Sequence, residues 1–245
     1  MKFKLVSYNI HRAIGLDRRF KPERIIEILR EIDADIVLLQ EVDCGVPRSR
    51  ELNLAQVLAD NCAYAHYQLG LNVTLRKGHY GNATLSRYPI TAQSNIDLTI
   101  DNKKARGCQY TEINISGQKL DIFNLHLGLS AKERQKQAQL LFQSSFYQDN
   151  CSPKSCIIAG DFNDWRSLLR ALFVAGKDFN CATDRTTTNG ESALKTFPSF
   201  APRGGLDRVY YKNQLQVGKV SRYSKKIAKI ASDHLPVIVE FDCSV

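Results

Sequence analysis

No stretch of this 245-residue chain is long and apolar enough to span a membrane, and the amino terminus, Met1-Lys2-Phe3-Lys4, lacks the apolar segment of a secretory signal. Linkers rich in Pro, Gly or Ser are missing, as are low-complexity tracts and usable internal repeats, so a single domain over residues 1–245 is expected. The seven cysteines (Cys44, Cys62, Cys108, Cys151, Cys156, Cys181 and Cys243) include no C-x-x-C pair. Their scatter signals neither a zinc site nor a disulfide framework; reduced thiols in a cytoplasmic protein are the simplest expectation. Acidic residues are the scarce charge: 25 Asp plus Glu against 34 Lys plus Arg leave a net charge of +9, which favours polyanionic partners such as nucleic acid or an anionic lipid surface. What is present is ordinary for a globular protein, with 43% hydrophobic and 24% charged residues, so the chain can bury an extensive core.

Apolar periodicity orders the chain. Residues 3–10 alternate as a first strand ending near Asn9 and His11. Pro22 suits a helix's first turn, and Ile25, Ile28, Leu29 and Ile32 give that helix an apolar face. A buried strand over 36–39 delivers Gln40, Glu41 and Asp43 to its end, and a second helix follows over 51–60. The middle reads as strands over 64–69, 82–86, 90–98, 106–115 and 120–127, with a tight hairpin at Gly117-Gln118. Ser130 caps a long helix to about Tyr147. A strand over 157–161, expected to stop at a turn on Gly160, carries out Asp161 and Asn163. A short helix over 166–175, a polar loop over 183–192 and strands over 208–211, 214–223 and 236–241 complete the pattern. Helices interleaved with strands in both halves predict an α/β architecture of two sheets packed face to face with helices outside.

Several strand ends thus carry polar groups: Asn9, Glu41, His126, Asp161 with Asn163, and then Asp207 and the Ser232-Asp233-His234 run. This is the inventory of a metal-assisted phosphoester hydrolase, which must neutralise an anionic substrate, generate a nucleophile from water and protonate a leaving oxygen. Carboxylates with an amide oxygen are hard ligands suited to Mg²⁺ or Mn²⁺, and Glu41 assisted by Asn9 is the first choice. His234 oriented by Asp207 supplies acid or base chemistry, His126 faces the phosphate, Asp161 holds or deprotonates the attacking water, and Asn163 donates to a phosphoryl oxygen.

Seven segments resemble, in order, the motifs of the endonuclease/exonuclease/phosphatase superfamily. They are Ser7-Tyr8-Asn9-Ile10-His11, Leu39-Gln40-Glu41-Val42, Gly81-Asn82-Ala83, Asn124-Leu125-His126-Leu127, Gly160-Asp161-Phe162-Asn163, Leu206-Asp207-Arg208-Val209 and Ser232-Asp233-His234-Leu235-Pro236. The resemblance implies a four-layered α/β/β/α sandwich of the deoxyribonuclease I type, a divalent metal, usually Mg²⁺, and phosphoester hydrolysis. By position it makes Glu41 and Asn9 metal-site residues, Asp233 a second metal or acid position, Asp161 and Asn163 the water and phosphate group, Asp207 the partner of His234, and His126 the first catalytic histidine. It also puts Asn82 and Arg106 beside the substrate; Arg106 opens a strand after the Lys103-Lys104 turn. His11 stands where apurinic endonucleases commonly carry an acidic residue, and it lines the site or packs beneath it.

The reading is a cytoplasmic, monomeric, Mg²⁺-dependent phosphodiesterase, with Mn²⁺ as a substitute, cleaving nucleic acid by in-line water attack. One alternative within the same chemistry is an esterase for a phospholipid head group, inositol phosphate or small nucleotide. A second is a binding module without turnover.

Overall fold

The computed structural model describes residues 2–151, 155–187 and 190–243. From the amino terminus run β1 (Lys2–Asn9), α1 (Pro22–Ile32), β2 (Ile36–Cys44), α2 (Leu54–Asn61), β3 (His66–Thr74), β4 (His79–Ser86), β5 (Ile90–Asp97), β6 (Gly107–Ile115) and β7 (Gln118–His126). Then come α3 (Ala131–Gln143), α4 (Ser145–Asn150), β8 (Ser155–Asp161), α5 (Arg170–Lys177), β9 (Asn180–Cys181), β10 (Asp184–Thr187), β11 (Gly190–Ala193), β12 (Asp207–Lys212), β13 (Leu215–Arg222), α6 (Ala228–Ala231) and β14 (Val237–Cys243).

Two six-stranded mixed sheets result, ordered β13-β14-β1-β2-β4-β3 and β5-β6-β7-β8-β12-β9. The central strands β1, β2, β7 and β8 are buried at nearly every position, so both faces of each sheet are covered there, while β3, β5 and β13 are more exposed. Leu5, Ile36 and Leu38 of the first sheet meet Ile122, Ile157 and Val209 of the second in a central core. Alternate residues of the same strands, Val6, Val37 and Leu39, turn outward to α1, α2 and α6, while Phe123 and Ile158 turn outward to α3 and α5. The four-layered α/β/β/α sandwich is therefore as expected, with two inner sheets and two helical coats.

Toward one end the seam between the sheets changes from apolar to polar. Gln40 Nε2 donates to Asn124 Oδ1 at 2.8 Å, and Asn124 Nδ2 donates to the carbonyls of Leu39 and Ala83 at 3.1 and 3.0 Å. Thr84 donates across to Gln109 at 2.9 Å. These amides sit buried between sheets without orphaned charge, and they fix the distance between the strand ends that carry the chemistry.

Several expectations are corrected. The helix after Ser130 is two helices: Ser144 has an extended backbone (φ −65°, ψ 141°), and its hydroxyl oxygen accepts from the Tyr147 N–H to start α4. The short helix begins at Arg170, not 166. The polar loop over 183–192 contains the hairpin β10 to β11, paired from Asp184↔Ala193 to Thr187↔Gly190. Gly160 does not turn the chain; it lies within β8 at φ 141°, where an added Cβ would stand 1.9 Å from the Leu125 carbonyl oxygen of β7. Only glycine permits this approach of two strands. Cys151 and Cys156 are joined in a disulfide, so the expectation of uniformly reduced thiols fails for that pair. Among the described residues Cys44, Cys62, Cys108 and Cys181 are free.

Candidate active site

The parallel pairing of β7 with β8 sets His126 beside Asp161, and the antiparallel pairing of β8 with β12 sets Asp207 on its other side. In the first sheet, β1 and β2 are parallel with Asn9 opposite Gln40, so Asn9 and Glu41 reach one sheet edge together. His234 follows α6 and precedes β14, the other neighbour of β1. Strand ends from both sheets thereby converge on one point.

Asp161 is at its centre. Its Oδ2 accepts from Asn9 Nδ2 at 3.0 Å and lies 3.4 Å from His126 Nε2 and 3.6 Å from His234 Nε2. Its Oδ1 accepts the Asn163 backbone N–H at 3.0 Å. On the far side of the His234 ring, Nδ1 is 2.9 Å from Asp207 Oδ2, which also accepts from the Thr196 hydroxyl. The sequence-predicted group of Asn9, His126, Asp161, Asn163, Asp207 and His234 is thus brought together and buried. Asn163 gives one of its two amide N–H bonds to the Leu127 carbonyl at 3.0 Å, which leaves the other for a ligand.

Environment pushes the two histidines apart. Burial holds His126 well below the usual imidazole range, and the positive charges of Arg106, His234 and Lys104 push it further down. Burial disfavours the charged ring of His234 as well, but Asp207 and Asp161 overcome it and raise the group to about 10. Burial also raises the Asp161 carboxyl, against the pull of the His234 charge. At neutral pH the site therefore holds one neutral and one protonated imidazole, a division suited to acid and base roles.

Glu41 sits apart from this network. A bulge between Leu39 and Val42 turns it to φ 59°, and its carboxylate meets the Arg12 Nε at 3.3 Å. Arg12 lies in a turn where His11, Arg12 and Ala13 all have positive φ (45°, 61° and 57°), a strained backbone for three non-glycine residues in succession. His11 packs Nδ1 on the Ile14 carbonyl at 2.9 Å, and its backbone N–H donates to Asn9 Oδ1. Asn82 donates to the carbonyls of Asn124 and Gly107 at 3.0 and 3.3 Å, joining the sheets beneath the site. Asp233 is half-buried beside Ser232, with its Oδ1 3.4 Å from the Ser232 hydroxyl. Arg106 is 6% exposed and its charge acts on His126.

Two sets of groups could attract a cation. Asp161, Asp207 and His234 offer ligand atoms within 4.8 Å of one another. Their donors already face each other as carboxylate and imidazole, however, and imidazole is a poor partner for Mg²⁺. Glu41 fits better: its hard carboxylate is held by a guanidinium, a positive charge standing where a cation would, and Asn9 is the next residue along that sheet edge.

Sequence reading gave no site role to Arg12, Tyr80, Thr196 or Phe197. Phe197 packs its ring 5.0 Å from that of His234, and the half-exposed Trp165 meets Phe197 edge-on at 5.3 Å. The Thr196-Phe197 pair was visible as a polar-aromatic step eleven residues before Asp207; Arg12 and Tyr80 carried no local signal.

A double-sheet sandwich that gathers buried carboxylates, amides and two differently charged imidazoles at the strand ends defines a phosphoester hydrolase. The sequence profile of the Endonuclease/Exonuclease/phosphatase family matches residues 6–234, and the chain belongs to that family, whose members are generally dependent on a divalent metal. It is 32% identical to the uncharacterized protein YbhP of Escherichia coli strain K12, over 97% of this chain and 95% of that one. Its fold is similar to the endonuclease/exonuclease/phosphatase from Beutenbergia cavernae, with a TM-score of 0.78 at 19% identity over 99% of this chain and 72% of that one. It is also similar to a mannosyl-6-phosphatase of Bacteroides thetaiotaomicron, with a TM-score of 0.71 at 20% identity over 98% of this chain and 99% of that one.

Proposed function

We propose that the protein hydrolyses phosphoesters with Mg²⁺, or Mn²⁺ in its place, by in-line attack of water, and that nucleic acid is its first candidate substrate. The observation that carries the chemistry is the Asp161 carboxylate held between two imidazoles and an amide, 3.0 to 3.6 Å from each. In this reading Glu41 and Asn9 hold the cation, which supplies charge neutralisation at the phosphoryl oxygens. Asp161, raised by burial, orients water and takes its proton; Asn163 donates its free N–H to a phosphoryl oxygen. Protonated His234, kept charged by Asp207, stabilises developing negative charge, and neutral His126 hydrogen-bonds the phosphate. Asp233 adds a negative charge near His234.

Net charge of +9 supports a polyanionic substrate. A small phosphorylated substrate is the second reading, supported by the gathering of Arg12, Arg48, Lys104 and Arg106 near Glu41 rather than along an extended path. Other basic groups are engaged elsewhere: Arg50 over Phe20, Lys77 with Glu51, and Arg185 with the Val220 carbonyl. No helix among the described residues is long and apolar enough to cross a membrane. A monomer in the cytoplasm completes the proposal, although the Cys151–Cys156 disulfide removes reduced thiols as a ground for that compartment.

The test is a Mg²⁺-dependent activity panel over single- and double-stranded DNA, RNA, inositol phosphates, small nucleotides and phospholipids. Asp161→Asn and His234→Ala should each lower turnover by orders of magnitude while retaining a cooperative thermal melt. Near-normal turnover in either variant would reject the assigned roles. Steep loss of binding with added salt would favour polynucleotide over a small ester.

A further inference from the structure

Beyond Glu41 the sheet edge becomes cationic. Tyr80 of β4 pairs with Asp43 of β2, so it stands one strand, roughly 5 Å, further along the sheet than the Glu41 strand and on the side away from His234. Lys104 Nζ lies 5.1 Å from the Tyr80 ring centre and the Arg48 guanidinium 5.7 Å from it. Arg48 is fully engaged by Asp43, with two bonds of 2.8 and 2.7 Å, and Arg12 is paired with Glu41. Lys104 and Arg106 have no carboxylate partner among the described residues. Arg106 is buried, its Nε has no hydrogen-bond partner, and its backbone is pinned to Leu98 and Thr99.

A guanidinium cannot shed its proton to escape burial, so an unpaired one is unfavourable unless an anion arrives to meet it. Burial and the neighbouring Arg106 charge both push the Lys104 ammonium down from its ordinary range, which again marks a shortage of negative charge. Lys104 and Arg106 thus bring two positive charges, met by no carboxylate among the described residues, close to His126, where Asp161 and His234 already serve the scissile position.

Building on the hydrolase reading in its small-substrate form, we propose that Lys104 and Arg106, with Arg12, Arg48 and Tyr80 as their wall, form a subsite for a second phosphate carried as a terminal monoester. The substrate is then a compact molecule bearing a phosphomonoester next to the phosphoester that is cleaved. A monoester brings two negative charges at neutral pH and matches the unpaired cations; an internal diester brings one. The same group could come from a soluble metabolite or from a lipid head group.

Calorimetric titration of the metal-free protein in EDTA tests this without relying on turnover. The probes are adenosine 3′,5′-bisphosphate and inositol 1,4-bisphosphate, each against its monophosphate. Bisphosphates should bind about tenfold or more tightly, and Lys104→Ala, an exposed change that spares the core, should remove that preference, as should Arg106→Gln. Equal affinity for mono- and bisphosphates in the wild type overturns the subsite, as does a preference that survives Lys104→Ala. Phosphatidylcholine vesicles containing phosphatidylinositol 4-phosphate separate the sources: Lys104-dependent vesicle binding stronger than that of the soluble bisphosphate assigns a lipid head group, and the reverse order a soluble molecule. Single-stranded DNA bound with the same Lys104 dependence, and more tightly than the bisphosphates, overturns the proposal. Binding and turnover distinguish the two readings: equal affinity for mono- and bisphosphates in the wild type sinks the subsite alone, whereas full turnover in Asp161→Asn sinks the catalytic assignment alone.

Discussion

Asp207→Asn isolates the charge that sets the His234 ring. The side chain is fully buried, and one of its oxygens accepts from both Thr196 and His234 Nδ1, so an amide of the same shape can keep both bonds through its oxygen while losing the negative charge. His234 moves from 6.5 to about 10 in the protein, and burial works against that rise, so the anions around it outweigh the desolvation of the ring. At about 1.4 kcal/mol per pH unit the interval is worth roughly 5 kcal/mol, and Asp207 is the largest favourable contributor. Removing that charge lowers the titration of the ring from about 10 back toward the ordinary imidazole range. Nitrogen-15 NMR of the His234 imidazole in the metal-free protein, followed from about pH 6 to 11, reads this directly. With substrate and Mg²⁺, the alkaline limb of the rate profile should move down with it, and turnover should fall about 10²- to 10⁴-fold. An unchanged titration of His234 in a variant that melts cooperatively would refute the charge argument, and an unchanged rate would remove His234 from the chemistry.

Asn124→Leu should be among the most damaging changes outside the site, since it removes the 2.8 Å bond from Gln40 Nε2 and both bonds given to the carbonyls of Leu39 and Ala83 between the sheets. A loss of about 3 kcal/mol or more in urea unfolding is expected, and a loss below about 1 kcal/mol would show that the polar seam is not what spaces the sheets. The Cys151–Cys156 bridge closes a separation of only five residues, so Cys151→Ser should cost roughly 2 kcal/mol, and reductant should lower the melting temperature of the wild type but not of the variant. Equal melting with and without reductant would refute it. His126 has its pKa depressed in the folded protein, so the stability it contributes is complete above the unfolded value near 6.5 and is lost as the pH falls below it. Thermal melts between about pH 5 and 8 should show a shallower acid loss in His126→Gln, and parallel curves would overturn the assignment.

Much of this site was legible because its chemistry follows local signals. A strand announces itself by an apolar run, and a polar residue at either end of the run marks what it presents; Asn9, His126 and Asp161 close such runs and Asp207 opens one. Glu41 was legible as a residue but not as a geometry, because its left-handed backbone and its Arg12 partner come from a bulge and a strained turn that no propensity predicts. The break at Ser144 fell inside a pattern that is helical on both sides, so only the cap made by its hydroxyl reveals it. The β10 to β11 hairpin carries no apolar alternation to betray it, and the disulfide needs a distance that sequence does not supply.

The amides mark the deeper boundary. Asn82, Gln40 and Asn124 look in sequence like Asn9 and Asn163, yet the first three satisfy buried carbonyls or each other while Asn9 and Asn163 hold the Asp161 carboxylate by side chain and by backbone N–H. Residue type alone cannot separate these uses, because the physics is the same: an amide in a buried place must be hydrogen-bonded. What separates them is depth along the seam. Where the inter-sheet space is filled by Leu38 and Ile157 no amide is tolerated; where it opens, amides first tie sheet to sheet and then, a few residues further out, face a carboxylate and two imidazoles. The site is thus the open end of the polar seam, and rigidity of the seam is what gives Asp161 fixed distances to His126 and His234, although His126 and Asp161 end neighbouring strands of one sheet and His234 lies in the loop that leads into β14 of the other.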